Sequence, residues 1–263
     1  MSHFSQRLSH ILKGDPRDLR PWLEEPNRGR LLFCFLFIIL GFSFYGLSVG
    51  LWRAPQMGFF VALKMPLLVF LTLACNGLLN GIFGLLLGSG LGFRQSLLAL
   101  LMSFTIAAAI LGALAPVTFF MALNAPPPEA ENAHRAHALY LLTHTLLIAY
   151  AGIIANLHLA RLLLAHCPDK KTAGLTLAAW LGGNAFVGAQ FSWILRPFFG
   201  SPGLEVAFLR DDPMRGTFYE TVWRSLERVA GSYSIFILFI LAMGGWILLT
   251  PLFSIFNKQK PKQ

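Results

Sequence analysis

The sequence predicts an all-α, polytopic integral membrane protein: six transmembrane helices, both termini in the cytoplasm, and short amphipathic interfacial helices. Three observations carry this reading. Of the 263 residues, 56% are hydrophobic and only 13% charged, where a soluble domain carries about 25% charged residues. Mean hydropathy is +0.62. The apolar residues also fall in long runs, and about 20 such residues cross a bilayer. A segment in lipid must satisfy its own backbone hydrogen bonds, so each run is expected to be a helix.

Residues 1–30 are polar and carry ten charges. They contain no apolar run ending in a small-residue cleavage site, so no signal peptide is read there, and the first span is expected to act as its own insertion signal. In MSHFSQRLSHILK the apolar Phe4, Leu8, Ile11 and Leu12 share one helical face, with Arg7, His10 and Lys13 elsewhere. That pattern suits a helix on an anionic leaflet; a frayed tail is the alternative at this length. Spans are then expected at about 31–52, 65–88, 95–123, 138–160, 172–195 and 231–253, none containing Asp, Glu, Lys or Arg. The Pro-rich stretch 124–137 reads as a stiff connector.

An outer loop, 196–230, separates the last two spans. Within it TFYETVWRSLERVAG, residues 217–231, reads as a helix. Thr217 and Glu220 form a capping box, Phe218, Val222, Leu226 and Val229 form a stripe, and Glu220, Arg224 and Arg228 can pair at i, i+4. Residues 254–263 form a basic tail.

Charge sets the expected orientation. With the N-terminus inside, cytoplasmic segments hold 13 Lys/Arg and outer segments 8, the outer set including Arg53, Lys64 and Arg135. Such a bias follows the positive-inside rule. The formal charge of +9 is thereby explained by orientation and lipid headgroups, without a nucleic-acid partner.

Polar residues inside spans are the first functional candidates. Asn76 and Asn80 share a face at i, i+4, and Gly84 to Gly88 continue that helix with small-xxx-small spacing; helix packing explains the same pattern. The fourth span carries His144, Asn156 and His158. Its two histidines lie about four turns apart, near one face, so a proton relay competes with packing and headgroup roles. The fifth span holds Gly182, Gly183, Asn184, Gly188 and Gln190, a density of small residues that means close packing or a local break.

The stretch FVGAQFSWILRPFFGSPG, residues 186–203, reads as an anchored helix end. Trp193 sits in the aromatic belt, Arg196 snorkels, and Pro197 ends the helix. Gly200-Ser201-Pro202-Gly203 turns the chain, and Phe198 and Phe199 dip back into the interface. The long segment that follows sets Glu205, Asp211 and Asp212 against Arg210 and Arg215 and is the candidate contact element, with a solvated, ion-paired loop as the alternative.

No catalytic fingerprint occurs. Cys34, Cys75 and Cys167 are odd in number and widely spaced, which fits neither a disulfide framework nor a metal cluster. No cofactor is implied.

The polar N-terminus with DPRDLRPWLEEP, the Gly-, Ala- and Leu-rich spans and the stretch NAFVGAQFSWILRPFFGSPG resemble bacterial multi-pass inner-membrane proteins, loosely of the Yip1 type. The resemblance implies a non-enzymatic organiser of membrane proteins or lipids. The expected function is therefore a non-catalytic scaffold or accessory subunit in the bacterial inner membrane, acting through lipids, a membrane-protein partner or its own copies. Transport along a route lined by Asn76, Asn80, His144, Asn184 and Gln190 is the alternative. Lipid chemistry through Glu205, Asp211 or Asp212 is a third.

Overall fold

A computed structural model describes residues 3–25, 27–221, 223–224 and 243–244. Regular structure among the described residues is entirely helical, in the order α1 His3–Lys13, α2 Pro16–Glu24, α3 Arg28–Leu51, α4 Pro55–Leu86, α5 Phe93–Asn124, α6 Ala133–His166 and α7 Lys170–Ile194. Four of these, α3 to α6, are long and apolar enough to cross a membrane. The α7 helix covers the expected fifth span. The expected span 231–253 lies outside the described residues apart from Met243 and Gly244.

Local chemistry starts the helices. Asp15 caps α2 by accepting from the Arg17 amide, Asn27 caps α3 by accepting from Gly29 and Arg30, and Asp169 caps α7 by accepting from Thr172. Pro55 starts α4 where its missing N–H costs nothing. The Gln95 carboxamide returns to the Gly92 amide at the start of α5, 2.9 Å away.

Helices α3, α4 and α5 pack through glycine. A Cβ at Gly41 would lie 2.5 Å from the Ala108 carbonyl oxygen of α5, and one at Gly46 would lie 2.6 Å from the Val61 oxygen of α4. Gly50 meets the Met57 backbone just as closely. Small residues let helices approach to backbone contact in lipid, where water supplies no driving force between them.

The N-terminal helices pack onto this unit. Ile11 of α1 is fully buried, and Leu19, Trp22 and Leu23 of α2 join the core. The apolar face of α1 is thus spent partly on protein, and Leu12, expected on that face, is 41% exposed.

Two spans differ from expectation at their edges. The α6 helix extends from Ala133 to His166, beyond 138–160. More consequentially, α4 begins at Pro55, ten residues before the expected span, so Lys64 is helical and not part of a connecting loop. It is fully buried. The charge-free stretch expected at 65–88 lies within α4, and the helix continues past it to carry Lys64, which a carbonyl and aromatic rings receive.

Candidate functional site

The predicted polar route divides into separate clusters. The first is a seam between α4 and α7. Asn76 donates to Asn184 Oδ1 at 3.0 Å, and Trp180 donates through its indole N–H to the Asn80 main-chain oxygen at 3.0 Å. Asn76, Asn80, Trp180 and Thr176 are fully buried. Gly183 faces this pair, a Cβ there lying 3.2 Å from Asn76 Oδ1 and 3.6 Å from Asn80 Oδ1. Among the described residues, Asn76 Oδ1, both amide atoms of Asn80 and Thr176 Oγ1 have no hydrogen-bond partner. Each such buried group costs about 1–3 kcal/mol unless something polar meets it.

His144 belongs elsewhere. Its Nδ1 lies 2.7 Å from the Tyr45 hydroxyl, its ring is 4.4 Å from that of Tyr140, and Tyr140 donates to the Ser48 carbonyl at 2.5 Å. Ser48 in turn lies 2.6 Å from Thr118 Oγ1. This network ties α6 to α3 and α5. His158 serves the opposite end, with Nε2 3.1 Å from the Leu12 carbonyl oxygen of α1. The two histidines therefore share a helix but no network. Asn156 donates to Gly152 of its own helix at 2.8 Å. Gln190 accepts from the Phe218 amide at 3.2 Å and joins α7 to the segment beyond it.

The second assembly forms at the end of the bundle where the α3–α4 turn meets the segment after α7. Leu195 closes α7, and the chain then re-enters the protein. Phe198 and Phe199 pack against the core cluster rather than resting at its edge. The Phe199 ring lies 5.7 Å from that of His144. Lys64 donates to the Pro197 carbonyl at 2.7 Å, with the rings of Phe198 and Phe208 5.8 and 5.0 Å from its ammonium nitrogen. Arg53 reaches across to the carbonyls of Ser201 and Leu204 at 3.1 and 2.9 Å. Gly200 makes that approach possible: its φ is +66° and a Cβ would lie 2.8 Å from Arg53 Cγ. Cations thus fold this segment through carbonyl oxygens.

Beside the re-entrant residues lies a cavity of about 1010 Å³. Its walls are Val49 of α3, Met65 and Leu68 of α4, and Leu141 and Ile148 of α6. Trp193, Arg196, Phe198 and Phe199 close it on the other side. Arg196 does not extend away from the protein; its guanidinium lies over the Trp193 ring, 2.8 Å from the centroid. Arg210 approaches the same ring, at 4.8 Å.

Comparison with family models, curated proteins and solved structures returned no match for this chain. The site must be read from its own chemistry.

The acidic side chains offered as contacts stand outside the cavity. Glu205, Asp211 and Asp212 are exposed, and Asp212 lies 3.9 Å from Arg215. Sequence reasoning missed Lys64, Arg53, and Tyr45 and Tyr140, which both meet His144. Lys64 had a signal: Pro55 is a helix-start residue ten positions before Met65, and the apolar run Met57–Leu63 lies between the two. Tyr45 and Tyr140 had none, because the bonds they make, to His144 and to Ser48, join residues far apart in the chain.

Proposed function

We propose that this is a non-catalytic membrane protein that works by holding a lipid in the cavity between α4, α6 and α7. One observation carries the reading: a space of about 1010 Å³, walled by four helices and a re-entrant segment, is almost wholly apolar, and among the described residues Arg196 is the single charged side chain on its wall. Binding sites of this size are typically lined by apolar and aromatic groups with few polar ones, and an acyl chain matches such a lining.

In this reading α7 is the fifth span and 231–253 the sixth. The basic N-terminal segment and tail lie in the cytoplasm, the 196–230 segment lies outside, and the membrane is a bacterial inner membrane. The Yip1-type resemblance points the same way, toward an organiser of lipids or membrane proteins. Lipid analysis of protein purified in nanodiscs tests the proposal. One retained lipid per chain, lost when Leu141→Trp and Ser192→Phe fill the space, supports it; wild-type protein free of retained lipid contradicts it.

The unpartnered groups of Asn76, Asn80 and Thr176 favour a second reading, passage of a small polar solute along the α4–α7 seam. His144 and Gln190 have no part in that seam. Unchanged uptake and growth in Asn80→Ala would remove it.

A further inference from the structure

Two arginines meet one indole beside the cavity. The Arg196 and Arg210 guanidinium carbons lie 2.8 and 4.8 Å from the Trp193 ring centroid. Like charges brought together in a partly desolvated place repel, and proteins ordinarily set a carboxylate between them. Among the described residues none pairs with either arginine. Among the described residues the recorded ion pair of this segment's acids Glu205, Asp211 and Asp212 is Asp212 with Arg215. Arg210 donates through Nη2 to the carbonyls of Pro213 and Arg215 at 3.2 and 2.8 Å, which fixes its head against Trp193. The Nε–H groups remain. Both Arg196 Nε and Arg210 Nε are buried and, among the described residues, without a hydrogen-bond partner.

A buried, unmet N–H on a cation is a costly arrangement that an anionic oxygen would relieve at each arginine. We infer that Arg196 and Arg210 form the headgroup clamp for an anionic phospholipid whose acyl chain occupies the adjoining cavity. This rests on the lipid-holding reading above and adds the class of lipid. Charge complementarity selects the headgroup: two guanidinium groups without a counter-ion among the described residues suit a phosphodiester carrying net negative charge, and a zwitterionic headgroup brings its own cation to the same place. The cavity selects a lipid over free phosphate, because Arg196 and Trp193 line the same apolar space as Leu141 and Met65.

The test is native mass spectrometry of the full chain released from nanodiscs made of phosphatidylglycerol and phosphatidylcholine with matched acyl chains. Wild-type protein should retain phosphatidylglycerol over phosphatidylcholine by about tenfold or more, the scale of one charge-assisted hydrogen bond. Arg196→Gln with Arg210→Gln should bring that ratio near one while a lipid is still retained. Arg196→Lys with Arg210→Lys keeps the charge without the planar fork and should fall between. It also provides a folded comparison if the glutamine pair unfolds. Equal retention of both lipids by wild type, with loss in Leu141→Trp, would overturn the clamp and leave the lipid cavity standing. Wild-type protein that retains neither lipid would remove both. Displacement of the lipid by millimolar inorganic phosphate would overturn the clamp in favour of a free-anion site.

Discussion

The α3–α4–α5 unit and the α6–α7 side of the bundle are built on opposite plans. In the first, glycines bring backbones into contact, and 61% of an apolar stretch of α5 is buried. In the second, 22% of an apolar stretch of α6 is buried, and among the described residues a Cβ at Gly152, Gly174 or Gly182 would meet nothing within 4 Å. The difference separates scaffold from site. The glycine-packed unit fixes positions, and the looser side leaves the space that Phe198 and Phe199 partly fill.

The sharpest way to break this comparison is to add bulk to each side. Gly50→Leu forces α3 off the Met57 backbone of α4 and should destabilise by about 3 kcal/mol. Gly152→Leu on α6 should stay within about 0.5 kcal/mol. Denaturant unfolding in mixed micelles measures both, and similar losses would mean that the two sides are equally packed.

The two sides are joined by the Tyr45–His144 bond. Tyr45→Phe keeps the ring and leaves His144 Nδ1 unmet, so it should cost about 1–2 kcal/mol. An unchanged midpoint would show that the joint contributes nothing.

Lys64 connects the scaffold to the re-entrant segment. Replacing a buried charge by an apolar side chain of similar size is often neutral or mildly stabilising. Lys64→Met should therefore leave the unfolding midpoint nearly unchanged while the 204–216 segment becomes more open to protease. Unchanged proteolysis would show that Arg53 alone holds the segment.

The smallest effect is expected at the start of α7. The Thr172 backbone N–H, followed by its hydroxyl, holds the exposed Asp169 carboxyl below its ordinary value. A lowered value in the folded state means that the cap contributes above the ordinary aspartate pKa of about 3.9 and fades as pH falls through the folded value. Amide protection at Thr172 should hold from neutral pH down to that range, then drop. In Asp169→Ala it should be low throughout. Constant protection to lower pH would show that α7 is held by its packing alone.

Much of the architecture was legible from apolar run length. Helices α5 and α7 start and stop within two residues of their expected limits, because their runs end at charges, at Gly92 and at Pro197. The α4 helix starts ten residues before the expected span because Lys64 is accommodated within it by a carbonyl and two rings contributed by residues 197–208. The shared face of Asn76 and Asn80 was legible from i, i+4 spacing. That Asn184 completes the seam, while Gln190, six residues further on, turns to Phe218, follows from how α7 lies on α4, which periodicity within one helix does not encode. Anchoring accounted for the helix end and the turn but placed Arg196, Phe198 and Phe199 at the interface, whereas they pack on Trp193 and on the core. It missed the cavity because a cavity is a property of four helices at once.

The central claim is that the looser side holds a lipid. Mass spectrometry of lipids retained by wild type and by Leu141→Trp with Ser192→Phe, purified side by side, addresses it most directly. One lipid per wild-type chain and none in the filled variant is the predicted result. Equal lipid retention by the two proteins would contradict it.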